Sequence, residues 1–315
     1  MPYKYDVSII IPTKNNEATL PRCLDSIINQ VTSLKYEVII VSDPSKDKTY
    51  EIIDEYVEKF DFIKHMKLQA TPIGVARQIG INNSNGEFLM FIDADDYYSN
   101  DAIETMVNEI RQNDCDVVCS SYYYLRKNKC SKNFFSKNKT YNKKGMLIAL
   151  MKDSYIHGFM WNKIYKSSLL KNKNYIIPNK NIIREDVLYN FQIFLNCKKM
   201  KQIKKPLYYY DKTHETTTSK IDKNRIPWFI TIFAIEKYLL IKNYPDLIKK
   251  YNNLNFRRKL LVFGDEMLLK KGYSRVEYKL LKRTINKSLR SLRKGNSLSL
   301  NNEIWSSFFK EYINK

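Results

Sequence analysis

Gly86-Glu87-Phe88-Leu89-Met90-Phe91-Ile92-Asp93-Ala94-Asp95-Asp96 places three carboxylates directly after five consecutive apolar residues. A run this short, apolar on both alternating sets of positions, predicts a strand buried on both faces, as in a parallel sheet covered by helices. Working outward, Val7-Ser8-Ile9-Ile10-Ile11, ended by Pro12, and Glu37 to Val41 read the same way, and Phe62 to Leu68 more weakly. Helical spacing fills the gaps: Leu20, Leu24, Ile27 and Ile28; then Ile52, Ile53, Tyr56 and Val57; then Val75 to Ile81; then Asp101 to Arg111. Strand–helix alternation of this kind predicts an α/β fold with a mostly parallel sheet. Ligands in such sheets bind beyond the carboxyl ends of the strands. Pro12-Thr13, Ser42-Asp43 and Asp93 to Asp96 all fall at such ends, so one crevice is expected to collect them.

The carboxylate cluster carries the chemistry. Asp93 and Asp95, two apart in an extended segment, project to one side. Carboxylates gathered at a strand end repel one another unless a cation or hydrogen-bond donors neutralise them. Hard divalent ions take oxygen ligands, and Mg²⁺ sites often combine one or two carboxylates with substrate phosphates. The same cluster also fits a turn with a helix N-cap, because Asp is favoured at both.

Composition bounds the rest. The 315 residues are 43% hydrophobic, enough for a large core and an added module. Residues 1–100 hold 10 Lys and Arg against 15 Asp and Glu, and the other 215 hold 44 against 18, within a net charge of +21. The basic surplus of the later part suits anionic lipid, phosphorylated substrate or nucleic acid, or simply solubility. Five cysteines without a CxxC pair argue against a disulfide framework or a structural zinc site, and a reducing cytoplasm is expected. The start, Met1 to Asp6, leads directly into a strand and is read as lacking a signal peptide. Ile226 to Ile241 is too short and too charged to span a bilayer.

Arg126 to Lys144 reads as an exposed basic loop. Residues 221–315 read as helices. Leu281, Ile285, Leu289 and Leu292 make one apolar stripe among Lys and Arg, a pattern that fits a membrane-surface helix or one packed on its own domain.

Four segments, in order, resemble the nucleotide-sugar-binding half of the family 2 glycosyltransferases, over residues 6–125. They are Val7 to Asn15, Val38 to Thr49, Gly74 to Ile81, and Gly86 to Asp96. Trp161 to Tyr165 and Glu185 to Leu188 resemble members that build bacterial surface polysaccharides. The resemblance implies a GT-A fold over residues 1–220, with a nucleotide-sugar half (1–125) and an acceptor half (126–220); the basic helical module that follows (221–315) is read from charge and helical spacing alone. It implies that Pro12, Thr13 and Asp43 lie against the base and Arg77 near the base or phosphates. Asp93 would hold the ribose, with Ala94 beside it, and Asp95 a Mn²⁺ or Mg²⁺ ion on the diphosphate of a UDP-sugar. Asp186 would be the general base for a hydroxyl of a glycan or lipid-linked oligosaccharide acceptor, and His214 a further metal or diphosphate contact. Three departures stand out: Ser42-Asp43-Pro44 where two Asp and Gly are usual, Gln78 where Asn is usual, and Asp211 where Arg often stands. The expected enzyme is an inverting, metal-dependent glycosyltransferase, cytoplasmic or peripheral on the inner face of the membrane.

Each residue also has a plainer role open to it. Glu185-Asp186 fits an ordinary N-cap, His214 a solvated loop, and Trp161 a packing anchor; His65 and His157 are read as structural, and Tyr208 to Tyr210 as strand. Other classes fit less well. No Gly-rich turn follows the first strand, which excludes a dinucleotide-binding oxidoreductase and a P-loop ATPase. An Asp-nucleophile phosphatase carries its motif after the first strand, not the fourth. No nucleic-acid module is present, so that partner is not expected. A non-catalytic relative that binds nucleotide sugars or polyanions remains the alternative.

Overall fold

The computed structural model describes residues 3–213, apart from 128, 134, 136, 153–157, 172 and 178–184, together with 236, 239–240 and 242–247. The apolar stripe at 281–292, His157 and His214 therefore lie outside the described residues. No helix among the described residues is long and apolar enough to cross a membrane.

The strands are β1 (Tyr5–Thr13), β2 (Tyr36–Ser42), β3 (Ile63–Lys67), β4 (Gly86–Phe91), β5 (Tyr97–Tyr98), β6 (Val117–Arg126), β7 (Lys129–Asn133), β8 (Lys139–Asn142), β9 (Lys163–Lys166) and β10 (Lys199–Asp211). The helices are α1 (Leu20–Ile28), α2 (Thr49–Lys59), α3 (Ile73–Asn83), α4 (Ala102–Gln112), α5 (Lys143–Lys152) and α6 (Glu185–Asn196). One mixed sheet runs β3-β2-β1-β4-β9-β6-β10-β5, with β7 on β6 and β8 on β10. It is parallel through β3, β2, β1 and β4, and β9 enters antiparallel between β4 and β6.

Alternation along the strands divides the core in two. Val7, Ile9 and Ile11 face a layer built by α1, α2 and α4, where Leu24, Ile53 and Met106 are buried. Ile10, Ile39, Leu89 and Phe91 face the other layer, with Ala76 of α3, Leu147 of α5 and Phe191 of α6. This is the covered parallel sheet that the unbroken apolar runs require. Gly80 sets how closely α3 approaches. A Cβ there would lie 2.5 Å from Ile10 Cγ2 and 3.3 Å from Val41 Cγ2. Gly80→Ala gains helix propensity but overpacks a dense core, so a net loss of about 1–2 kcal/mol is expected in urea unfolding.

The stretch Arg126 to Lys144 is a correction. Its described residues are mostly exposed, but they form β7, β8 and the start of α5 rather than a loop. Both strands lie outside the main strand path of the sheet, where lysines keep a backbone ladder soluble. Trp161 is 4% exposed and stacks on Tyr208 at 4.3 Å and Tyr210 at 5.0 Å, so it is a packing anchor. His65 lies in β3 with Nε2 2.6 Å from Ser42 Oγ, a structural contact.

Candidate active site

The site forms where β1, β2 and β4 end together. The β1–β4 register runs to Ile10–Phe91, and Ile92 N–H donates to Ile10 C=O at 3.2 Å. Alternation then turns the Pro12 nitrogen toward the side that β4 has just left, so no ladder bond is lost to proline there. Asp93 C=O accepts from Asp96 N–H at 3.0 Å, turning the chain so that Asp93, Asp95 and Asp96 bring their carboxylate oxygens within 4.8 Å of one another. Ala94 packs inward, 3% exposed.

The loops after β1 and β2 clasp each other. Asn15, with φ 52°, takes the left-handed conformation that Asn tolerates. Its N–H donates to Ser45 Oγ at 3.0 Å, and its Oδ1 accepts from Lys46 N–H at 2.8 Å. Glu17 N–H donates to Asp47, and Lys48 N–H to Glu17. Thr13 is 6% exposed and donates to Asn16 Oδ1 at 3.0 Å. Asp43, 9% exposed, accepts from Thr71 N–H at 3.1 Å and from Lys14 Nζ at 3.4 Å. Pro12, Thr13 and Asp43 are thus brought together on one rim.

Arg77 of α3 joins the cluster to α6. It donates to Asp93 Oδ1 at 3.2 Å and to Glu185 Oε1 at 2.8 Å, and is 7% exposed. Burial works against its charge, but Asp93, then Glu185 and Asp186, raise its pKa above the usual arginine value. Its Nε–H is buried without an acceptor among the described residues. Asp186 follows Glu185 in the first turn of α6, its Oδ1 accepting from Val187 N–H at 2.7 Å. Sequence order alone did not reveal that Glu185 is the residue paired with Arg77.

The three aspartates differ. Burial, then the Asp93 carboxylate, pushes Asp95 up to about 6. Burial, then Asp95 and Asp93, holds Asp96 well above the carboxylate range. Asp96 is fully buried and accepts from Tyr208 O–H at 2.5 Å and Asp211 N–H at 2.7 Å, so it anchors the turn to β10. Tyr208 O–H also accepts from Asp93 N–H at 3.2 Å. Burial opposes ionisation of Asp211, yet hydrogen bonds from Thr213 and Arg22 hold it below the usual range. Arg22 of α1 also donates to Asp95 C=O at 3.0 Å. Neither Arg22 nor Tyr208 stands out in the sequence as a site residue, because their partners come from distant elements.

The family described as Glycosyl transferase family 2 matches residues 8–188. The cholesterol galactosyltransferase of Borreliella burgdorferi is 28% identical over 217 residues, 65% of this chain and 60% of that protein. Glycosyltransferase GlyA of Streptococcus pneumoniae is 28% identical over 213 residues, 65% of this chain and 30% of that protein. The chain therefore spans at most 60% of the length of these two relatives. Among solved structures, Staphylococcus aureus TarS 1-349 in complex with UDP-GlcNAc shares the fold, with TM-score 0.68 and 21% identity over 80% of this chain and 73% of that one. With the GT-A architecture and the matched segment covering the carboxylate cluster, Arg77 and the start of α6, the chain belongs to glycosyl transferase family 2.

Proposed function

We propose that this protein transfers a sugar from a UDP-sugar to a hydroxyl of a glycan acceptor, with inversion, in the synthesis of a bacterial surface polysaccharide. The observation that carries this is the convergence of Asp93, Asp95, Arg77 and the Glu185-Asp186 turn at the carboxyl ends of the parallel strands. The UDP-GlcNAc complex of TarS and the galactosyltransferase relative support a nucleotide-sugar donor.

The residues suit a hard divalent cation. The donor set is all oxygen, with the carboxylate oxygens of Asp93, Asp95 and Asp96 within 4.8 Å of one another. Asp96 is spent on Tyr208 and Asp211, which leaves Asp95 to hold Mn²⁺ or Mg²⁺. Such an ion, when bound, neutralises charge on the departing diphosphate. The protein's own groups do the rest. Pro12, Thr13 and Asp43 hold the base, Asp93 with Ala94 takes the ribose, and Asp186 accepts the proton of the attacking hydroxyl. Transfer in one displacement needs no covalent sugar–enzyme intermediate. Residues 1–220 form the catalytic domain, donor half 1–125 and acceptor half 126–220. The basic module 221–315 serves an anionic lipid surface at the inner face of the membrane, with a lipid-linked oligosaccharide as acceptor. His214 is a second metal contact in this scheme.

The test is a panel of UDP-sugars with Mn²⁺ or Mg²⁺, read by thermal shift and slow donor hydrolysis. At least one donor should stabilise the protein only when metal is present; silence across the panel sinks the proposal. Asp95→Asn separates function from stability. With its folded pKa raised, Asp95 contributes stability that is present below its unfolded value and lost as pH rises through about 6. At about pH 7.5 the metal-free variant should therefore melt a few degrees higher than wild type, with the gain fading toward about pH 4. Calorimetry should find its metal-dependent donor binding gone.

A further inference from the structure

We propose that Arg22 is a positioning residue for the carboxylate cluster, closing a ring that fixes the main chain at Asp95 and sets how tightly the cluster holds a divalent cation. Arg22 Nη2 donates to Asp95 C=O at 3.0 Å. The next residue, Asp96, accepts from Asp211 N–H at 2.7 Å. Asp211 Oδ2 returns to Arg22 Nη2 at 2.7 Å. The circuit thus passes from α1 to the end of β4, across to the end of β10, and back. The Arg22 guanidinium also lies 4.6 Å over the Tyr97 ring, which limits the directions it can take.

Asp96 and Asp211 are 0% and 1% exposed, whereas the Arg22 side chain is 42% exposed. Arg22 is therefore the accessible partner in a circuit with two buried carboxylates. Its removal leaves Asp211 buried with one charged partner fewer and frees the Asp95 carbonyl. The hydrophobic layers still hold α1, β4 and β10 in place, so the effect should concentrate on the direction of the Asp95 carboxylate. Groups that orient metal ligands without touching the metal commonly change affinity by roughly 10–100-fold.

The sign distinguishes this role from simple charge. A cation beside an acidic cluster opposes binding of a second cation, so loss of Arg22 acting only through space would tighten Mn²⁺ binding. A positioning role predicts the reverse. The inference rests on the metal-site proposal above, and the experiment separates the two. Mn²⁺ is titrated into the full chain with UDP, and free Mn²⁺ is read by electron paramagnetic resonance for wild type, Arg22→Ala, Arg22→Lys and Asp211→Asn. Melting of each protein without metal is recorded in parallel. Arg22→Ala and Asp211→Asn should bind Mn²⁺ roughly tenfold more weakly. Arg22→Lys, which is shorter and lacks the planar group that stacks on Tyr97, should melt like wild type and still bind more weakly. Wild-type or tighter affinity in Arg22→Ala and Arg22→Lys overturns the inference. No Mn²⁺ uptake by the wild type overturns the metal site instead.

Discussion

Asp186→Asn is expected to bind the UDP-sugar as wild type does and to lose about 10²- to 10⁴-fold in kcat, the usual contribution of a positioned general base. The amide matches the carboxylate in shape and can still accept from Val187 N–H, as Asp186 Oδ1 does at 2.7 Å, so the first turn of α6 should survive. What it cannot do is take a proton from the acceptor hydroxyl. Donor affinity by calorimetry and single-turnover transfer separate the two effects. An Asp186→Asn enzyme of near-normal turnover would remove this residue from the role and leave Glu185, beside it in the first turn of α6, as the candidate.

Arg77→Met should carry the largest cost in stability, about 3–5 kcal/mol, the scale found when one partner of a buried ion pair is removed. The guanidinium stands between Asp93 and Glu185 with 7% exposure, so two part-buried carboxylates lose their counter-ion together. Urea unfolding measures the loss. Adding Glu185→Gln should recover part of it, because one uncompensated charge is then gone. A double variant no better than Arg77→Met would mean that packing around α3, not charge, dominates. Donor binding should fall as well, since Asp93 is then free to turn away.

The parallel half of the fold was legible because its information is local. Each of β1, β2 and β4 is a contiguous apolar run, and α1 to α4 carry their buried stripes in neighbouring residues. The carboxylate cluster was legible for the same reason, with three ligand-type residues in four positions. The strands β7 and β8 were not, because their lysine-rich sequence reads as solvent-exposed and only pairing with β6 and β10 makes them strands. Arg22 sits on a helix where any polar residue would satisfy the pattern. What gives it a role is Asp211, which the sequence shows only as a departure where arginine often stands. In the structure the Asp211 carboxylate pairs with Arg22 of α1.

The place of β9 has a consequence for synthesis of the chain. The first 126 residues contribute both β4 and β6, yet these strands do not pair with each other along the sheet; Lys163–Lys166 lies between them. Until that segment has left the ribosome, Leu89 and Met90 on one side and Val118 on the other face an open slot where backbone groups lack partners. Residues 1–126 are therefore not expected to finish first and wait. The slot between β4 and β6 closes only when β9 enters it, so the two parts of the sheet are expected to complete together late in synthesis, and during elongation the unpaired edges are the nascent chain's exposure to misassociation.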